Sequence, residues 1–289
     1  MSTQALLSQL LLGLINGSFY AILSLGLAVI FGLLNIINFA HGALYMVGAF
    51  CALLAMRWLG IGYWGALVIA PLVVGALGVV IERLMLRRLY QLDHLYGLLL
   101  TFGLALIAEG FFRWSFGITG ESYPVPAELH GGVDIGIMYL PLYRAWVVVA
   151  SLVVCVATWY LIDRTSLGAR LRAATERPRL TQALGINVPV LVTATYAAGV
   201  ALAAYAGVLA APILQVNPLM GSNLIIVVFA VVVIGGMGSI LGSIVTGLGL
   251  GLLEGLTKVF YPEASAVVIF VIMVMVLLVR PAGLFGKAA

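Results

Sequence analysis

The residues of this chain best suited to chemistry are amides, hydroxyls and one imidazole embedded in otherwise apolar sequence. Asn16, Ser18, Tyr20, Asn35, Asn38 and His41 fall within 26 residues. The first 56 residues contain no Asp, Glu, Lys or Arg. Amides and hydroxyls exchange hydrogen bonds without ionising, and a neutral imidazole does the same. At membrane depth they are costly unless they face a bundle interior or a water-filled cavity. Two roles therefore fit Asn16, Ser18, Tyr20, Asn38 and His41. They line a path for a polar solute, or they join helices through hydrogen bonds of about 0.6 kcal/mol each. Six such groups so close together favour a polar cleft on these segments. Gly42 and Gly48, in the same stretch, allow backbones to approach closely.

Covalent chemistry has no comparable foundation. No Ser/His/Asp or Cys/His constellation gathers in one loop, and no carboxylate pair stands out for acid–base work, so no catalytic residue is expected. The string closest to a phosphate-binding loop, "GLFGKAA" at the C-terminus, has Pro281 in place of its first glycine and Ala288 in place of Ser or Thr. The chain is expected to bind no cofactor. Cys51 and Cys155 lie in apolar runs without ligand spacing, and His41, His94 and His130 are far apart, so no metal site is expected. The intramembrane pairs Glu109/Arg113 and Glu254/Lys258 are each four residues apart and should neutralise each other.

The elements that must position these residues follow from composition. The chain has 289 residues, 64% hydrophobic and 8% charged, where a soluble domain carries about 25% charged residues. So little polar surface cannot cover a soluble core, and the apolar residues must face lipid. Basic runs interleaved with aromatics are absent, which removes nucleic acid as a partner. A helix needs about 20 apolar residues to cross a bilayer. Candidates lie at 6–33, 37–57, 62–85, 95–117, 144–163, 190–214, 222–236, 240–258 and 264–280. The first lacks a basic leader and a small-residue cleavage site, so it is read as a span. The segments 222–236 and 240–258 meet at "GGMGS". They form two short spans or one re-entrant hairpin, making eight or nine segments. The expectation is an all-α polytopic membrane bundle forming one domain over 1–289. Gly238, Gly242, Gly247, Gly251 and Gly255 make three G-x-x-x-G spacings with one skip, a stripe for close helix packing.

Positive charge marks the cytoplasmic side. Arg83, Arg87 and Arg88 follow the third segment, five arginines occupy 164–179, and Arg280 and Lys287 sit in the tail. The 118–143 loop holds Glu121, Glu128 and Asp134 without Lys or Arg, and is placed outside. The C-terminus is then cytoplasmic, and nine crossings put the N-terminus outside. Within the 164–189 loop, "SLGARLRAATERP" reads as a short amphipathic helix that Ser166 could cap. Pro178 interrupts it. A second short helix carries Leu180, Ala183 and Leu184 on one face, with Gly185 as its C-cap. A small helix with an apolar face, too short for lipid, suits a protein groove. A purely topogenic loop is the other reading.

Taken together, several stretches resemble the permease subunits of ATP-binding-cassette importers for branched-chain amino acids, in particular the H-type subunit. They are "NGSFYAILSLGLAVIFGLLNIINFAHGALYMVGA" at 16–49, "IER" at 81–83, "RA…LGIN" across 172–187, "GGMGSILGSIVTG" at 235–247 and "RPAGLFG" at 280–286. They run in the family's order from end to end. The resemblance implies a passive half of the translocation path in the cell inner membrane. Its implied partners are a second, M-type permease, two cytoplasmic ATPases that use ATP and Mg, and a periplasmic binding protein that delivers a small-molecule substrate. It also implies that Arg172, Ala173, Glu176, Leu184, Gly185, Ile186 and Asn187 dock on the ATPase. The chain departs from the family at Leu180, Thr181 and the Arg87–Arg88 pair. The same scaffold for urea, short amides or another small polar solute is the alternative, and an ion-coupled secondary transporter is a more distant one.

Overall fold

The computed structural model describes residues 3–34, 37–90, 92–134, 136 and 139–286. Asn35 and Lys287, both singled out by sequence, lie outside these residues. Apolar helices form wherever the hydropathy requires them. They are α1 (Thr3–Leu34), α2 (Ala40–Leu59), α3 (Tyr63–Leu84), α4 (His94–Phe116) and α5 (Leu142–Asp163), then the short pair α6 (Ser166–Glu176) and α7 (Pro178–Ala183), then α8 (Val188–Leu214), α9 (Met220–Gly235), α10 (Ile240–Phe260) and α11 (Val268–Val279). Every predicted span has its helix. Among the described residues, seven helices are long and apolar enough to cross a membrane, while α9 and α11 are shorter. At 1.5 Å per residue, the 16 residues of α9 reach about 24 Å and the 12 of α11 about 18 Å, against a hydrocarbon core of about 30 Å. A feature that sequence did not anticipate is the small antiparallel ribbon of β1 (Gly132–Asp134) and β2 (Tyr139–Pro141).

Two compact units emerge. The first comprises Met1–Leu25, Pro124–Cys155 and Ile226–Ala289, and the second comprises Gly26–Tyr123 and Val156–Ile225. In the first, α1 packs antiparallel on α10, glycine against glycine. A Cβ at Gly251 would meet the Gly13 carbonyl oxygen at 2.5 Å, and one at Gly247 would meet the Ala21 nitrogen at 2.6 Å. The α9–α10 turn has Gly236 at φ 100° and Gly238 at φ 87°, and Ser239 then caps α10 by accepting the Gly242 N–H at 3.0 Å. Gly238 is therefore a turn residue and leaves the predicted packing stripe, because its backbone is left-handed and α10 begins two residues later. Gly242 faces Gly235, where any side chain would press on that carbonyl, so it tightens the same turn.

The tail returns to this turn. The N–H groups of Leu284 and Phe285 donate to the carbonyls of Ile234 (2.8 Å) and Gly235 (3.1 Å), the last carbonyls of α9, which have no helical donor. A Cβ at Gly283 would stand 2.5 Å from the Gly236 Cα. Two sequence motifs far apart in the chain thus make one joint, and the "GGMGS" turn lies at the same end of the α10–α11 hairpin as the tail.

The second unit is built on α2, α3 and α8. Ile30, Ala40, Leu44, Val74, Leu86, Tyr196, Val200 and Ala204 form its buried core. Small residues set the spacing: a Cβ at Gly48 would lie 2.5 Å from the Ala204 carbonyl oxygen, and one at Gly42 would lie 2.7 Å from that of Gly221. At one end, Arg57 pairs with Glu121 at 2.6 Å, and Glu121 bridges Val216 in the α8–α9 connection. At the other end, the chain before α2 joins α4, with the Phe39 N–H donating to Thr101 Oγ1 at 3.1 Å. That second end also holds the last turn of α3 and the first turns of α8.

Candidate coupling surface and polar residues

The α6–α7 pair is assembled by local hydrogen bonds. Thr165, in extended backbone, caps α6 by accepting the Leu167 N–H at 3.3 Å. The expected cap, Ser166, is instead the first helical residue. Gly168 lies so close to the Ile162 carbonyl that a side chain has no room, which turns α6 sharply back on the end of α5. Leu171 and Ala174 are buried beneath α6, while Arg170, Arg172, Ala173 and Glu176 are exposed. Arg172 leans toward Asp163 at 3.6 Å. Pro178 opens α7, where its missing N–H costs nothing. The buried Thr181 hydroxyl donates to the Ala173 carbonyl at 2.8 Å, with the Arg177 carbonyl at 2.9 Å also in reach. The Thr181 hydroxyl thus clamps α7 to α6.

The end of α7 is a Schellman closure. Gly185 N–H donates to Gln182 O at 2.9 Å and Ile186 N–H to Thr181 O at 3.3 Å, with Gly185 at φ 83°. Leu184 is the capping residue, so Gly185 stands one position later than expected. Asn187 then caps α8 by accepting the Val190 N–H at 3.2 Å. The predicted apolar face is present and uncovered by the chain's own bundle: Leu180 is 54% and Leu184 75% exposed, and Ala183 is exposed beside them.

The polar residues fall into two sets. Asn16, half-buried, Ser18 and Tyr20 belong to the first unit. Ser18 donates to the Leu14 carbonyl of its own helix at 2.8 Å, and Tyr20 donates to Glu254 at 2.8 Å, whose other oxygen holds Lys258 at 2.5 Å. Asn38 and His41 belong to the second unit and are fully buried. Asn38 Nδ2 donates to the Tyr196 hydroxyl at 3.2 Å, while its Oδ1 has no partner among the described residues. The His41 ring lies against α1, where a Cβ at Gly26 would stand 2.9 Å from Cε1. The Glu109–Arg113 pair closes at 2.7 Å, and Glu109 also accepts from Ser222 in the first turn of α9.

Sequence reasoning missed a third set beside Asn38. Glu82, 1% exposed near the end of α3, accepts from Thr193 of α8 at 2.6 Å and from Tyr90 at 2.8 Å. Burial, reinforced by the bond to Glu82, raises the Tyr90 hydroxyl above the usual tyrosine range, so it stays a neutral donor. The available signal was plain: Glu82 is the first acidic residue in the chain and lies inside an apolar segment.

Comparison with known proteins adds a family and relatives. The family described as "Branched-chain amino acid transport system / permease component" matches residues 9–277. The chain is 30% identical over 300 residues to the high-affinity branched-chain amino acid transport system permease protein LivH of Escherichia coli, covering 97% of this chain and 96% of that one. It is 31% identical over 294 residues to BraD of Pseudomonas aeruginosa, a permease protein with the same description, again covering 97% and 96%. The Escherichia coli permease LivM is 28% identical over 292 residues, covering 92% of this chain and 67% of LivM. No solved structure matches the chain.

Proposed function

Since this chain belongs to the family of branched-chain amino acid transport permease components, we propose that it forms half of the path by which an ATP-driven importer carries aliphatic amino acids across the inner membrane. A second permease completes the path, two cytoplasmic ATPases hydrolyse ATP with Mg, and a periplasmic protein supplies the solute. The observation that carries the coupling role is the uncovered apolar face of α7. Leu180, Ala183 and Leu184 project from a pair of helices too short for lipid, rigidly clamped by Thr181 and closed by Gly185. Such a surface suits an ATPase groove. Arg172 stands beside Asp163 at 3.6 Å and Asn187 caps α8, while Ala173, Glu176, Leu184 and Gly185 are exposed and Ile186 is half-buried next to them.

Reconstituted complex should take up labelled leucine, isoleucine and valine ahead of alanine, and leave urea behind. Uptake of urea with none of the branched-chain acids would replace the substrate assignment with the amide one.

Sidedness has its own check. Loop 118–143 is acidic and faces outside, and the C-terminus is cytoplasmic. Glu128 is exposed in this loop. A Glu128→Cys chain should react with a membrane-impermeant thiol reagent in intact spheroplasts. Reaction only after lysis would invert the topology.

A further inference from the structure

We propose that Glu82 is the positioning residue through which movement of the α6–α7 pair reaches α3 and the Asn38 region. The inference rests on the coupling reading of α6–α7. Glu82 is a carboxylate in the last turn of a membrane helix, buried to 1% exposure, and no described Lys or Arg forms an ion pair with it. Burying such a group is expensive. A helix joint alone is served as well by an amide or hydroxyl, whereas a carboxylate accepts two hydroxyl donors at once, one on each oxygen. Thr193 donates to Oε2 and Tyr90 to Oε1.

The position of each donor gives the joint its direction. Thr193 sits in the second turn of α8, six residues beyond Asn187, the cap that ends the α6–α7 loop. One turn further along α8, on the same face, Tyr196 accepts from Asn38 at the entry to α2. Tyr90 lies in the connection between α3 and α4. A displacement of α7 therefore moves the α8 N-terminus, and α8 carries Thr193 and Tyr196 together. Glu82 then passes the displacement to α3 and to the α3–α4 connection, while Asn38 passes it to α2. All of these residues lie in one compact unit.

The test uses the assembled complex in proteoliposomes with Glu82→Gln, Thr193→Val, Thr193→Ser and Tyr90→Phe. Two quantities are read per assembled complex: ATPase subunits retained on the tagged permease, and ATP hydrolysis stimulated by loaded binding protein. Glu82→Gln and Thr193→Val should retain the ATPases at the wild-type level yet lose stimulation about fivefold or more, the scale of an ordinary coupling free energy between sites. Thr193→Ser, which keeps the hydroxyl, should behave as wild type, and adding Thr193→Val to Glu82→Gln should cost little more than either change alone. Tyr90→Phe should give a partial loss. If Glu82→Gln fails to assemble, Thr193→Val against Thr193→Ser decides the question. Stimulation that stays normal in Thr193→Val, or that falls only in proportion to complex yield, overturns the proposal. ATPases retained equally by a permease with a disrupted α7 overturn the docking reading instead, and that arm is scored separately.

Discussion

A chain carrying Gly185→Trp is expected to insert and to pair with its permease partner, yet to lose its ATPases and with them all measurable uptake. The backbone at Gly185 is left-handed, φ 83°. An L side chain there costs about 1–2 kcal/mol, enough to loosen the Schellman closure but not to unfold a membrane bundle. A Cβ at this position meets nothing within 4 Å, so the side chain starts in open space next to the exposed Leu184, on the surface proposed to seat the ATPase. Gly185→Ala separates the two effects, since it shares the backbone strain and lacks the bulk. The alanine chain should retain most of the ATPases in a pull-down, and the tryptophan chain almost none. Normal retention and normal stimulation with Trp in place would return the loop to a topogenic role.

The largest stability effect should come from Gly251→Leu. Its Cβ would press on the backbone of α1, 2.5 Å from the Gly13 carbonyl oxygen and nearer still to Gly17. Backbone atoms cannot rotate aside, so α1 and α10 must separate along their whole interface. That also breaks the neighbouring bonds from Tyr20 to Glu254 and from Ser24 to the Ser243 carbonyl. Overpacking typically costs about 1–3 kcal/mol, and contact with backbone puts this case at the upper end. Gly249→Leu is the control on the same helix, because a Cβ there meets nothing within 4 Å. Monodisperse protein recovered in detergent should fall to a trace for Gly251→Leu and stay near wild type for Gly249→Leu. Equal recovery would show that the glycine stripe does not set the α1–α10 spacing.

Much of the α6–α7 structure was legible because it is local. The α6–α7 break at Pro178, the apolar face at Leu180, Ala183 and Leu184, and the glycine closure all depend on residues within a few positions of each other. The errors there were of one residue: Thr165 caps in place of Ser166, and Leu184 is the cap with Gly185 following it. The identity of the α10 stripe's partner was not read, although Gly13 and Gly17 show the same four-residue spacing in α1. Spacing reveals that a helix can be approached closely, and both helices must be known before the pair is.

By itself the sequence determined where the apolar helices run and the glycine closure at Gly185. Hydropathy and left-handed backbone are properties of short segments, and lipid leaves the backbone little choice but to satisfy its hydrogen bonds within each helix. Tertiary structure alone decided which polar group meets which. Tyr20 bonds to Glu254 across 234 positions, Asn38 to Tyr196 across 158, and Glu82 to Thr193 across 111. The tail of "RPAGLFG" finds the end of α9 in the same way. Such pairings depend on how far each helix is rotated about its axis, and that rotation is set by small residues on two helices interlocking at once. A helix's own periodicity says which of its faces is polar; only the packed neighbour says what that face will touch.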